Sequence, residues 1–301
     1  MMRKSKKNID KSQSPKRIVF DNFMAKKTAV VGVIIFALIL VIVLIFPIFI
    51  KTDINNIDPS KIFNPPSSEH WFGTDELGRD YFARILIGGR VTLLSSFVLT
   101  LVTMILAVVL GIVAGYFGGV IDMLIMRSSE IISSIPFLAI AIMISVILRE
   151  AEMATNLRIV YIMIVIGFIS WGGYARLIRA NVMSLRESEF MLAAKSLGIK
   201  RFNQMFRHLL PNVIGVVIIG TALRFASAIL VESGLSFLGL GTQEPDASWG
   251  ALINNARSFT TISQRWWIWV IPSAFIVLTV FSVNLIGDGL TDAINPKENE
   301  R

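Results

Sequence analysis

Very little in this chain could do covalent chemistry. It has no cysteine, which removes disulfides, thiolate zinc sites, iron–sulfur clusters and thiol nucleophiles together. The two histidines, His70 and His208, stand far apart and suggest no metal site. No Gly-x-x-x-x-Gly-Lys-Ser/Thr loop is present to cradle a phosphate, and Gly239-Leu-Gly241 lacks the third glycine of a dinucleotide fingerprint. No Ser/His/Asp arrangement stands out, so a catalytic role is not expected. What remains is non-covalent. Arg224 and Glu232 lie in or beside an apolar run, Asp75, Arg79 and Asp80 share a turn-rich segment, and Ala193-Ala194 with Gly198 interrupt a basic stretch. Charge recognition, gating and docking of another protein are the chemistry such residues allow.

The elements that must position them are membrane spans. Of 301 residues 54% are hydrophobic and only 17% charged, with mean hydropathy +0.67. A soluble chain carries about 25% charged residues, so this one lacks the polar surface that water would require. A transmembrane helix needs roughly 20 mainly apolar residues, and six stretches qualify. The first is 28–50, uncharged between lysines. It reads as a retained anchor and not a cleaved signal, because it exceeds an h-region and no small-residue cleavage site follows. The second is about 92–115. The third, about 121–148, carries Asp122, Arg127 and Glu130 and should bend at Pro136. The fourth, about 159–178, is interrupted by Trp171-Gly172-Gly173. The fifth, about 212–231, follows Pro211 and contains Arg224. The sixth, about 267–285, starts in Trp266-Trp267-Ile268-Trp269, an aromatic anchor for the membrane–water interface.

Lysine and arginine placement orients the bundle. Residues 1–27 hold nine basic and two acidic residues, and 176–211 hold seven against Glu187 and Glu189. The segments 51–90 and 232–266 are nearly balanced, at five against six and two against three. Both termini are therefore expected in the cytoplasm. The organisation reads as a cytoplasmic tail 1–27, a first span 28–50, an external segment 51–91, a core 92–290 with five spans, and a cytoplasmic tail 291–301. The first 15 residues are polar enough to be disordered. Within 17–27, Val19, Phe20, Phe23 and Met24 fall on one helical face, which suits a short interfacial helix.

The loop between spans four and five is the most informative. From Glu187 to Leu197 it should be helical; Gly198 sits where a left-handed residue ends a helix, with Ile199 as the apolar contact beyond. A second helix, 200–210, should be closed by Pro211. An uncovered Ala193-Ala194 face would dock a second protein; an amphipathic helix packed on its own bundle is the other reading.

Ala193-Ala194-x-x-x-Gly198, then His208-Leu-Leu210-Pro211, resembles the coupling loop of binding-protein-dependent ABC importer permeases. The glutamate usual before the two alanines is Leu192 here. Three further stretches resemble the oligopeptide/dipeptide/nickel branch: His70-Trp-Phe-Gly-Thr-Asp75-Glu-Leu-Gly-Arg79-Asp80, Ser233-Gly-Leu-Ser-Phe237-Leu-Gly239-Leu-Gly241 with Ser248-Trp249-Gly250, and Asn284-Leu-Ile-Gly287-Asp288-Gly289 through Pro296. The resemblance covers about 17–296. It implies an all-α polytopic membrane protein with six transmembrane helices and a cytoplasmic coupling-helix loop, the type I ABC importer permease architecture. It is similar to the second, C-type, permease of an oligopeptide importer.

That resemblance implies a heterodimer with a homologous permease, two ATPase subunits that bind ATP and Mg2+, and an extracellular substrate-binding lipoprotein. The chain itself would bind no cofactor, metal or nucleic acid and would not be an enzyme. The location implied is a bacterial cytoplasmic membrane, and the cargo is an oligopeptide, with dipeptides and nickel complexes as alternatives. Coupling to the ATPase falls to 187–210, with Leu192, Ala193, Ala194, Gly198, Leu210 and Pro211. Asp75, Arg79 and Asp80 either face the docked binding protein or form a self-folded clamp between spans one and two. Glu232, Phe237 and Gly239 belong to an outer gate or to close packing between subunits. Arg224 is either a pathway cation or half of a structural ion pair with Glu232, Glu130 or a group on another subunit. An ion-coupled secondary transporter would show an inverted repeat and central acidic residues, and neither is evident. A non-transporting anchor for an ATPase would leave the glycine-broken external segments without a use.

Overall fold

A computed structural model of the chain describes residues 15–49 and 56–294. The disordered tail expected before Pro15, the end of the first span at Ile50 and the tail beyond Ile294 lie outside these residues. Among the described residues there is no β-strand, only one isolated bridge between Thr74 and Asp80.

A short helix, α1 (Pro15–Ala25), leads into the first span, α2 (Lys27–Ile48). The second span, α3 (Tyr81–Phe117), is far longer than the apolar stretch predicts, because Asp80 caps it by accepting from the Ala83 amide at 3.1 Å. Its first three turns are amphipathic and buried by the external segment, so hydropathy alone hides them. The third span is two helices, α4 (Gly119–Ser133) and α5 (Phe137–Glu150), meeting at 72° beside Pro136. The fourth is likewise broken at Trp171, into α6 (Thr155–Ile169) and α7 (Gly172–Arg186), with a 42° bend. Four helices are thus long and apolar enough to span alone, and the two bent pairs bring the number to six.

The fifth span departs from expectation. Pro211 does not close the preceding helix: Arg201–Phe237 runs as one rod, α9. A proline cannot donate to the carbonyl four residues back and its ring crowds that carbonyl. Here the turn just before it, Gln204–Leu209, is widened to π geometry, which absorbs the misfit without a break. Two short helices follow outside, α10 (Trp249–Asn254) and α11 (Phe259–Gln264), before the sixth span, α12 (Trp267–Ile294). Between α7 and α9 lies α8 (Glu189–Ser196).

Small residues set the packing, as expected where apolar lipid supplies no drive for helix association. Gly111 and Gly115 on α3 let the backbone of α7 approach: a Cβ at Gly111 would stand 2.8 Å from the Ala175 carbonyl oxygen, and one at Gly115 2.8 Å from that of Arg179. The α1 helix does not lie free at the interface. It packs on the end of α12, where Phe23 reaches Gly289 and Lys26 pairs with Asp292.

Candidate functional site

The loop after α7 is built as the sequence predicts. Gly198 has φ +69°, and the helix ends with the Ile199 amide donating to Ala194 O at 3.1 Å and the Gly198 amide to Lys195 O at 3.0 Å. That pair of reversed bonds needs a left-handed residue at position 198. The loop is anchored from below. Met191 turns inward and joins Met205, Leu209, Ile178 and Val182 in one apolar cluster, and Ala194 is buried on the same side of the helix. Gln204 donates to Ile199 O at 2.7 Å and accepts from the Tyr116 hydroxyl at 2.7 Å, tying the loop to the cytoplasmic end of α3. Arg186 reaches the carbonyls of Gly115 and Tyr116.

This arrangement revises the expected docking face. Ala193 is open but Ala194 is buried, because helical periodicity puts 191 and 194 on the same inner stripe. The outer stripe carries Leu192, Leu197 and Phe202, exposed by 53%, 79% and 66%. Leu210 is half-buried and Pro211 exposed. The three exposed apolar side chains stand on the open side of an otherwise polar loop. Leu197 and Phe202 escaped the motif because their exposure depends on how the two short helices are turned by Gly198.

At the opposite end of the bundle from this loop, Asp75, Arg79 and Asp80 form a clamp. Asp75 is 1% exposed and accepts from the Leu77 amide at 2.9 Å, the Arg79 amide at 3.0 Å and Arg79 Nε at 2.7 Å. Arg79 Nη1 and Arg84 Nη2 both donate to Glu244 at 2.7 Å, and Arg84 Nε stands 3.4 Å from Asp75. Burial alone would lower the Arg79 pKa, but the Glu244 and Asp75 carboxylates outweigh it and hold the guanidinium above its ordinary value. Asp80 is spent on capping α3 and on His70 Nδ1, 2.8 Å away. None of the three presents a charge to a docking protein; the exposed side chains here are Trp71, Glu76 and Leu77. Arg84 and Glu244 were not evident as members, since their meeting joins positions 160 residues apart. Trp267, expected as an interfacial anchor, is buried and donates from Nε1 to Thr74 O at 3.3 Å, leaving Trp266 and Trp269 exposed.

The segment after Glu232 begins as helix and not as a glycine-broken loop. Helix α9 continues through Gly234 to Phe237 and stops at Gly239, φ +76°, with the Leu240 amide bonded to Leu235 O at 2.9 Å. Phe237 is exposed at that end. Glu232 is fully buried and accepts from Ser236 Oγ at 2.8 Å, with Ser233 Oγ at 3.4 Å. It is thus enclosed by hydroxyls, not open to a path. Nearby, Trp249 is buried against α3, its amide donating to Thr92 Oγ1 at 3.1 Å and Nε1 to Ile85 O at 3.0 Å.

Arg224 meets neither carboxylate proposed for it. Glu130 pairs with Arg127, and Glu232 is occupied by the serines. The Arg224 guanidinium finds only Thr103 Oγ1, at 3.4 Å, and its Nε is buried without a partner. Two apolar cavities border this face. One of about 680 Å³ lies among α2, α3, α9 and α12, with Arg90 its only charged wall; the other, about 440 Å³, lies between α3 and α9.

Residues 107–300 match the family described as binding-protein-dependent transport system inner membrane component, and 14–66 match the N-terminal TM domain of oligopeptide transport permease C. The oligopeptide transport system permease protein OppC of Haemophilus influenzae is 40% identical over 278 residues, 92% of this chain and 86% of that protein. The dipeptide transport system permease protein DppC of Alkalihalophilus pseudofirmus is 38% identical over 284 residues, 94% of this chain and 90% of that one. The oligopeptide permease OppC of Bacillus subtilis is 34% identical over 275 residues, 91% and 87% respectively.

Proposed function

This chain belongs to the family of binding-protein-dependent transport system inner membrane components, and on that basis we propose that it is one of two homologous permeases forming the path of an ATP-driven oligopeptide importer. As a multi-pass membrane permease its own role is passage, and peptides are the cargo that its oligopeptide- and dipeptide-permease relatives carry in their names. ATP and Mg2+ would be bound by two partner ATPase subunits on the cytoplasmic side, and cargo would be delivered outside by a substrate-binding lipoprotein. With both termini in the cytoplasm, the 187–210 loop faces the ATPases.

The observation that carries this reading is the loop itself. Its inner stripe is sewn to α3, α7 and α9, while Leu192, Ala193, Leu197 and Phe202 are left open around the Gly198 turn. A partner gripping that open side would pull on three spans at once. Leu192 replaces the glutamate usual in the family motif, so grip would come from apolar contact and not from an ion pair at that position.

The test is Leu197→Asp, with Ala193→Arg beside it. Both positions are exposed and lie outside the hydrocarbon, so the bundle should insert and stay folded. Co-purification of the ATPase and peptide-dependent ATP hydrolysis should both be lost. If the ATPase is retained and uptake is normal in both variants, the docking surface lies elsewhere.

A further inference from the structure

We infer that Arg224 receives the C-terminal carboxylate of a peptide in transit. The inference rests on the peptide-permease reading above and adds a residue and a chemical group to it.

Arg224 lies midway along the apolar part of α9, fourteen residues after Leu210 and thirteen before Phe237. A cation at that depth is costly unless it is neutralised. Among the described residues no carboxylate pairs with it. Thr103 Oγ1 stands 3.4 Å from one terminal nitrogen, and Nε is buried without a partner. Its counter-charge must therefore come from outside this stretch of protein.

Three features favour a passing anion over a fixed acid on a neighbouring subunit. The first is hydroxyl company: Thr103 Oγ1 borders the guanidinium and the Tyr174 ring packs on Gly220, one turn along α9 from Arg224, and a neutral hydroxyl can complete the coordination of a carboxylate that arrives and leaves. The second is a helix break. Tyr174 stands in the first turn of α7, directly after the bend at Trp171, and Thr103 leans on Gly167 O just before it. Non-helical backbone within a membrane bundle is tolerated only where protein covers it or a water-filled cavity adjoins it. The third is the adjoining cavity of about 440 Å³, whose walls include Met104, Val217, Thr221 and Phe225. Its lining is apolar and hydroxyl-bearing without a charge, and Met104 and Phe225 are the chain neighbours of Thr103 and Arg224, so an apolar chamber lies beside the cation, which suits an amphiphilic ligand with a terminal anion. A peptide's ammonium end would be repelled, so the site reads one end of the cargo and ignores its side chains.

The experiment uses the whole importer, with partner permease, ATPases and binding protein, in proteoliposomes. Cargo is an alanine oligopeptide with a free C-terminus, or the same peptide as its C-terminal amide. Each is measured with wild type, Arg224→Met and Arg224→Lys. Comparing variant with wild type on each peptide cancels any preference of the binding protein. A lost charge-assisted hydrogen bond should lower maximal uptake of the free-carboxylate peptide about tenfold in Arg224→Met. Amide uptake should stay within about twofold, and Arg224→Lys should recover most of the loss. Equal loss on both peptides, or no loss on either, overturns the inference. So does failure of the Met variant to assemble while Lys assembles, which would mark an ion pair within the complex. A wild-type importer that moves neither peptide overturns the peptide reading itself.

Discussion

Replacing Asp75 by alanine should open the external clamp, and the structure gives the size of the effect. Asp75 is almost fully buried and accepts three hydrogen bonds, from the Leu77 amide, the Arg79 amide and Arg79 Nε, with Arg84 Nε at 3.4 Å. Removing its carboxylate leaves two buried guanidiniums to share Glu244 alone, and Arg79 Nη2 and Arg84 Nε already lack a partner. Breaking a buried pair from one side costs about 3–5 kcal/mol, because the surviving charge stays desolvated. Local opening sets amide exchange, and about 1.4 kcal/mol is tenfold, so hydrogen exchange over 73–80 should speed up roughly a hundredfold to several thousandfold. Glu244 offers the internal contrast. Its side chain is 42% exposed, so Glu244→Gln, which keeps an acceptor, should cost about 1 kcal/mol or less after solvent screening. Exchange measured by mass spectrometry on the intact importer separates the two. If Asp75→Ala changes protection less than about tenfold, or Glu244→Gln costs as much, the clamp is not held by this buried pair.

Two further outcomes follow from the loop and the topology. Gly198→Val places a β-branched residue at φ +69°, where it is strained; uptake should fall with the bundle still inserted, while Gly198→Asn, which tolerates that conformation, should retain uptake. In separate single variants, a cysteine in place of exposed Ser68 should react with an impermeant thiol reagent from outside, and one in place of exposed Ser196 should not; reversed labelling would invert the proposed orientation.

How much of this was legible in the sequence depended on whether the signal was local. Gly198 was legible because a helix end with a left-handed residue is decided by six consecutive residues, and the two reversed bonds fall where the pattern puts them. Pro136 and Trp171-Gly172-Gly173 marked real breaks for the same reason. Pro211 misled because the misfit a proline creates was relieved one turn earlier, by a π turn that leaves no mark in composition. The start of α3 was invisible to hydropathy: Arg84 and Arg90 sit in its first turns, and only a partner as distant as Glu244 makes burial of Arg84 tolerable. Ala194 is buried because it lies three residues from Met191, which packs on Ile178 and Val182 of α7 and on Met205 and Leu209 of α9, contacts the loop's own residues do not announce.

The continuity of α9 changes what the proposed coupling loop can do. Had Pro211 ended a separate loop helix, a pull on that helix would have been lost in a flexible joint. Instead Arg201–Phe237 is one rod of 37 residues, about 55 Å at 1.5 Å per residue. Its cytoplasmic end carries exposed Phe202, Arg224 lies along its length, and its outer end is bound through Ser236 and Gly239 to the turn that precedes Glu244. A pull on the proposed coupling loop would therefore be carried to the turn that bears Glu244 through a single continuous helix. The contact between Arg224 and Thr103 on α3 is one marginal hydrogen bond at 3.4 Å, weak enough to be made and broken in each cycle, whereas the Asp75 clamp is not. The clamp fixes the top of α3, and the rod joins the cytoplasm-facing loop of this proposal to the turn that completes that clamp.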